Sequence, residues 1–132
     1  MSARRRVSFA VALLVLATAG AAHAARKWQF LGERLVTDRL DHDVIAVTAY
    51  EGNFTALQVR VKGRAVQFRS MTVHFGNGTR QEVELREVVA PGGASRVIDL
   101  EGGDRVIQRV EFVYDAQAIR GRQALVRLFG RR

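Results

Sequence analysis

The sequence predicts an all-β domain: an antiparallel two-sheet sandwich of about eight strands, with a jelly-roll winding as one form of it. Three observations lead there. Apolar and polar residues alternate with period two over most of the chain after Phe54. Glycine-bearing breaks recur at short intervals, and no stretch of ten or so residues keeps a capped 3.6-residue period.

Each strand can be placed from its alternation. In Thr55–Lys62, Leu57, Val59 and Val61 face one way and Gln58, Arg60 and Lys62 the other. In Gln81–Val89, Val83 and Leu85 oppose Glu82, Glu84 and Arg86. Val110, Phe112 and Tyr114 oppose Arg109 and Glu111 within Val106–Tyr114, and Ala124, Val126 and Leu128 oppose Gln123 and Arg127 within Gln123–Phe129. Trp28–Leu31, Val44–Tyr50 and Arg96–Leu100 supply shorter strands. Ala65–Phe75 changes period: Val66 and Phe68 belong to one phase, Met71, Val73 and Phe75 to the other. A one-residue slip swaps every side chain's face, so a β-bulge or a change of sheet is expected near Arg69-Ser70. Glu51-Gly52-Asn53, Lys62-Gly63-Arg64 and Gly76-Asn77-Gly78 read as tight turns, and Pro91-Gly92-Gly93 and Glu101-Gly102-Gly103-Asp104 as longer ones.

The first residues set the compartment. Arg4-Arg5-Arg6, the uncharged apolar run Val7–Leu16, the small residues Ala17–Ala21 and the A-x-A site Ala22-His23-Ala24 follow the order of a secretory signal peptide. Residues 1–24 are therefore expected to be removed, leaving residues 25–132 as one β-sandwich domain; a retained N-terminal anchor is the alternative. There is no cysteine for a lipid anchor or a disulfide. Small eukaryotic secreted domains are commonly disulfide-rich, so the expected location is periplasmic or secreted in a bacterium. Nineteen of the 21 basic residues are arginine, a bias that fits a GC-rich bacterial genome. Without the leader, 18 basic and 13 acidic residues remain, yet between Trp28 and Ile119 the count is 11 against 13. The basicity thus sits at the two ends, in Arg26, Lys27, Arg120, Arg122, Arg127, Arg131 and Arg132.

A resemblance can be added on particular residues. Trp28-x-x-Leu31-Gly32, Asp43-Val44-Ile45 and Phe54-x-x-Leu57 open the pattern. Val73-x-Phe75-Gly76-Asn77-Gly78, Gly92-Gly93-x-x-Arg96-x-Ile98-Asp99-Leu100 and Arg105-x-Ile107-x-x-Val110 continue it, and Ala124-x-Val126-x-Leu128-Phe129-Gly130 closes it. The chain resembles a family of uncharacterised small exported bacterial β-sandwich proteins. The resemblance covers nearly all the mature chain and implies a β-sandwich without a defined site.

Candidate chemistry is sparse. Asp38-Arg39-Leu40-Asp41-His42-Asp43 gathers three carboxylates and an imidazole but lacks the glycine and terminal glutamate of a calcium loop. A solvated loop is its plainer reading, and no metal is expected. His42 and His74 are the only imidazoles of the mature part. Ser70 and Ser95 lack a nucleophile elbow, and Glu82 and Glu84 stand beside Arg80 and Arg86 as a solvated charged face. No catalytic residue and no cofactor is expected.

Ligand contact is assigned instead to Trp28, Tyr50 and Tyr114, as stacking surfaces for a sugar ring, and to Arg120 and Arg122, as part of a basic patch where the chain ends meet. The sequence thus points to a non-catalytic exported binding domain, with an anionic envelope polymer or a carbohydrate as partner. A structural or envelope-stress protein without a small ligand is the alternative. Nucleic acid is excluded by the expected compartment and the slightly acidic body.

Overall fold

The computed structural model describes residues 27–39, 41–48, 51–115 and 123–132. Ten strands run through them: β1 (Gln29–Val36), β2 (His42–Ala46), β3 (Asn53–Phe54), β4 (Ala56–Lys62), β5 (Val66–Phe75), β6 (Arg80–Val83), β7 (Glu87–Val89), β8 (Ile98–Asp99), β9 (Arg105–Tyr114) and β10 (Ala124–Arg131). One sheet has the order β1-β10-β4-β8; the other is β2-β9-β5-β6, with β3 joined to β9 and β7 to β5. The pairings are antiparallel. Apart from the short β3 and the β6–β7 pair, successive strands pass from one sheet to the other, as a jelly roll is wound.

The inner faces follow the alternation. Leu57, Val59, Val61, Val126 and Leu128 come from the four-stranded sheet, and Phe68, Met71, Val73, Val110, Phe112 and Tyr114 from the six-stranded one, all nearly without exposure. Phe68 meets Phe112 edge-on with ring centroids 6.0 Å apart, and Phe112 lies 5.9 Å from Tyr114. Complete burial of side chains of this size contributes about 1.5–3 kcal/mol each, which is how a cysteine-free domain holds together.

The expected slip is a bulge. The β5–β9 register shifts between Phe68 and Ser70, so both halves of β5 bury their apolar sets in the same core. Across this bulge β5 changes its other partner from β7 to β6. That change divides the single strand expected over Gln81–Val89. Leu85 stays buried, Arg86 takes a left-handed φ of 37°, and its N–H donates to the Arg69 carbonyl at 3.1 Å. The Arg96 guanidinium covers the break by donating to the carbonyls of Leu85 (2.7 Å) and Glu84 (3.0 Å).

Two other expectations are corrected by pairing. The first strand continues to Val36 through a bulge between Phe30 and Gly32, because β10 offers it partners along its whole length. The segment expected to begin at Val44 already pairs at His42, against Val113.

Gly130 shows how tightly the layers meet. A Cβ at this position would lie 2.6 Å from Phe54 Cδ1 and 2.9 Å from Leu31 Cδ1. Both neighbours are buried, so neither can swing away. Gly130→Ala is expected to destabilise the fold by about 1–3 kcal/mol through overpacking. Urea unfolding checks this, and a variant as stable as wild type contradicts the packing.

Candidate functional site: an arginine–aromatic face

Strand pairing brings side chains from distant segments together on the outer surface of the four-stranded sheet. Arg127, Phe129 and Arg131 alternate on β10 with the buried Val126, Leu128 and Gly130. In β4 the outward residues are Gln58, Arg60 and Lys62. The register sets Lys62 beside Leu125, Arg60 beside Arg127, Gln58 beside Phe129 and Ala56 beside Arg131. On the other flank β1 places Phe30 beside Phe129 and Glu33 beside Arg127. Trp28, half-buried, lies just ahead of β1.

The rings and guanidiniums are stacked. Arg60 lies 4.0 Å from the centroid of Phe129, Arg127 4.8 Å from that of Phe30, and Arg131 4.7 Å from that of Trp28. Phe30 and Phe129 meet edge-to-face at 5.7 Å. Phe129 is buried beneath this layer, while Phe30 keeps 42% of its surface exposed. Arg60 Nε also donates to Gln58 Oε1 at 3.2 Å, and Gln58 in turn donates to the Ser95 carbonyl at 3.1 Å. These contacts restrict long side chains that would otherwise be disordered in water. Each exposed cation–π contact is worth about 0.5–1 kcal/mol.

Charge is unbalanced on this face. Arg60, Lys62, Arg127 and Arg131 stand against Glu33, with Asp99 at the β8 edge. Among the described residues only Arg127 has an acidic partner here. Its Nε lies 3.3 Å from Glu33 Oε2 but off a hydrogen-bonding line. Lys27 is exposed next to Trp28.

The outer surface of the six-stranded sheet is neutralised instead. Glu111 stands at its middle, with His42 Nε2 3.2 Å from Oε2, His74 Nε2 2.9 Å from Oε1 and Arg109 Nε 3.5 Å away. The bond to His42, aided by the His74 charge and by Arg109, outweighs burial and holds the Glu111 carboxyl below its usual range. Arg80 pairs with Glu82 (3.9 Å), Arg86 with Glu84 (3.6 Å) and Arg69 with Asp115 (4.0 Å). A cleft of about 470 Å³ between the β5 bulge and the β6–β7 break is lined by these paired charges, among them Arg69, Glu84 and Arg86. A second, of about 480 Å³, is occupied on one side by Arg105, which lies 3.6 Å from the Phe75 centroid and donates to Thr79 Oγ1 at 2.9 Å.

The residues singled out from sequence fare differently. Trp28 belongs to the face. Tyr114 does not: its ring is fully buried against Phe112, and its hydroxyl donates to Asp43 Oδ2 at 3.2 Å. A buried tyrosine needs such a partner, and no ring surface is left for a sugar. Tyr50, Arg120 and Arg122 lie outside the described residues. The first and last described strands do lie side by side, with Gln29 paired to Gly130. Sequence reading missed Arg60 and Lys62, which reach the face through β4, and Phe30 and Phe129. Their signal was the shared period-two phase of Trp28 with Phe30 and of Arg127, Phe129 and Arg131. The acidic segment does not converge, because Asp43 turns to Tyr114 and to Arg34 Nε at 3.5 Å. Among the described residues no group of three His, Asp or Glu side chains is placed to hold a metal. Ser95 is buried, its hydroxyl engaged by the Val59 N–H (3.0 Å) and the Arg96 carbonyl (2.9 Å).

Fold and face together define a jelly-roll sandwich with one charge-balanced and one cationic, ring-backed surface. The chain belongs to the family described as a domain of unknown function, DUF2541, which it matches over residues 9–130. No curated protein matches it. Among solved structures it is similar to Pseudomonas aeruginosa AlgX, with 17% identity and a TM-score of 0.49 over 79% of this chain. It spans about a quarter (26%) of that AlgX chain. It is also similar to two point mutants of a family 29 carbohydrate-binding module, each at 14% identity and a TM-score of 0.39, covering 80% of both chains in one case and 81% in the other.

Proposed function

We propose that the mature protein is a non-catalytic binding domain of the bacterial envelope or exterior, and that it holds an anionic envelope component on the outer face of β1, β10 and β4. The observation that carries this reading is the row of Arg60, Arg127 and Arg131, each laid over an aromatic ring, of which, among the described residues, only Arg127 has a carboxylate within 4 Å, that of Glu33. A guanidinium held over a ring still has N–H groups to offer, which fork onto carboxylate, sulfate or phosphate oxygens. Ordering the side chains beforehand removes part of the entropy that a ligand would otherwise have to overcome. The leader-like N-terminus supports an exported site of action.

Retention on heparin and on anionic vesicles tests this. The mature protein should bind at about 10 mM salt, where charges still act over about 30 Å, and release near physiological ionic strength. Replacing Arg60, Arg127 and Arg131 together by Gln should remove most of the retention. No retention of wild type on either matrix at low salt, or equal retention of the variant, contradicts the proposal.

A further inference from the structure

We infer that the component taken by this face is a linear acidic polysaccharide, bound lengthwise along the strands through its interior units; this rests on the anion-binding reading above. The argument is one of shape. The cations occupy three levels along the strand direction: Lys62 first, Arg60 with Arg127 next, and Arg131 last. At about 3.3–3.4 Å per strand residue, the first two levels are about 7 Å apart and the last lies about 13 Å further on. The whole row is thus about 20 Å long and one or two strands wide. A lone phosphate or a lipid headgroup meets one level of it. A polymer with an acid group on its repeating unit meets all three, and each further contact is made within an already bound chain.

The rings narrow the class again. Phe129 is covered by Arg60, and Trp28 and Phe30 each have a guanidinium at their face. Among the described residues of this face no ring is free of a guanidinium to serve as a platform for a neutral pyranose, so the aromatics serve the arginines and the arginines serve carboxylates. The exposed part of Phe30, between the middle and last charged levels, and the half-exposed Leu35, level with Lys62, supply apolar surface on which the less polar sides of sugar rings can lie. Arg60, with its Nε turned to Gln58, is positioned at the middle level beside Arg127.

Calorimetric titration with galacturonate oligomers of increasing length tests the inference, with a neutral glucan and phosphatidylglycerol vesicles as comparators. Affinity should rise at least about tenfold from the disaccharide to the hexasaccharide, as expected for contacts added within one chain. The neutral glucan should give no heat. Arg60→Gln with Arg131→Gln should bring the hexasaccharide down to disaccharide affinity while the thermal midpoint falls only by the few degrees that two lost cation–π contacts account for; Arg60→Lys with Arg131→Lys should recover only part, since lysine keeps the charge and loses the fork. Equal affinity for short and long oligomers, or binding of vesicles without binding of any galacturonate, overturns the lengthwise polysaccharide and leaves the anion-binding face standing. Failure of every anion to bind overturns both.

Discussion

Phe112→Ala is expected to destabilise the domain by about 3–5 kcal/mol, the usual result of truncating a buried ring. Phe112 has 1% exposure, stands mid-strand in β9, and touches Phe68 on β5 and Tyr114 on its own strand. β9 is also the strand to which β2, β3 and β5 are all paired. A cavity here cannot close by moving a loop, because the surrounding groups are held in register. Phe112→Leu should recover about half the loss, by refilling much of the volume. Urea unfolding followed by circular dichroism measures both. A loss below about 1 kcal/mol would mean that the ring is not in the core.

The second large effect is expected in alkali. Burial pushes the Tyr114 hydroxyl from 10.0 up to about 12, reinforced by the charge of Asp43, the bond to Asp43 and the charge of Asp41; the Thr37 backbone opposes. A raised value means that the folded state holds the phenol proton more tightly than the unfolded chain does. The resulting stability is present in full below pH 10 and is lost as pH climbs from 10 to 12. Two pH units correspond to about 2–3 kcal/mol. Arg34 also faces Asp43, at 3.5 Å. Unfolding free energies of wild type and Tyr114→Phe, compared from pH 9 upward, isolate the contribution. The variant should lack the extra slope; parallel curves would show that the hydroxyl is not sequestered with Asp43.

Most of the sheet was legible because burial leaves a period-two trace wherever one face is dry. Val110–Tyr114 and Ala124–Leu128 carry that trace without interruption, and the phase change at Arg69-Ser70 marked the bulge. What could not be read was set by partners far along the chain. The division of Gln81–Val89 depends on the β5 bulge and on Arg96, neither of which alters the local alternation. Tyr114 had the correct facing but the wrong role, since its burial is made tolerable by Asp43 on another strand. The candidate face was half visible: Trp28 and the C-terminal arginines stood out by composition. Arg60 and Lys62 looked like any solvated strand face until β4 was paired to β10. Charge position along a chain says where the basic residues are, and only register says which of them share a surface.

The place of β10 has a consequence for assembly. Although last in sequence among the described strands, it lies inside its sheet, between β1 and β4. The ring-backed arginine row therefore does not exist on an incomplete chain. β1 has no neighbour in its own sheet until Ala124–Arg131 arrives, and Gln29 must wait for Gly130. Contacts so far apart in sequence form slowly. A chain synthesised N-terminus first thus cannot present this row until its final strand has emerged. Loss of a few C-terminal residues would remove the centre of the surface rather than its margin.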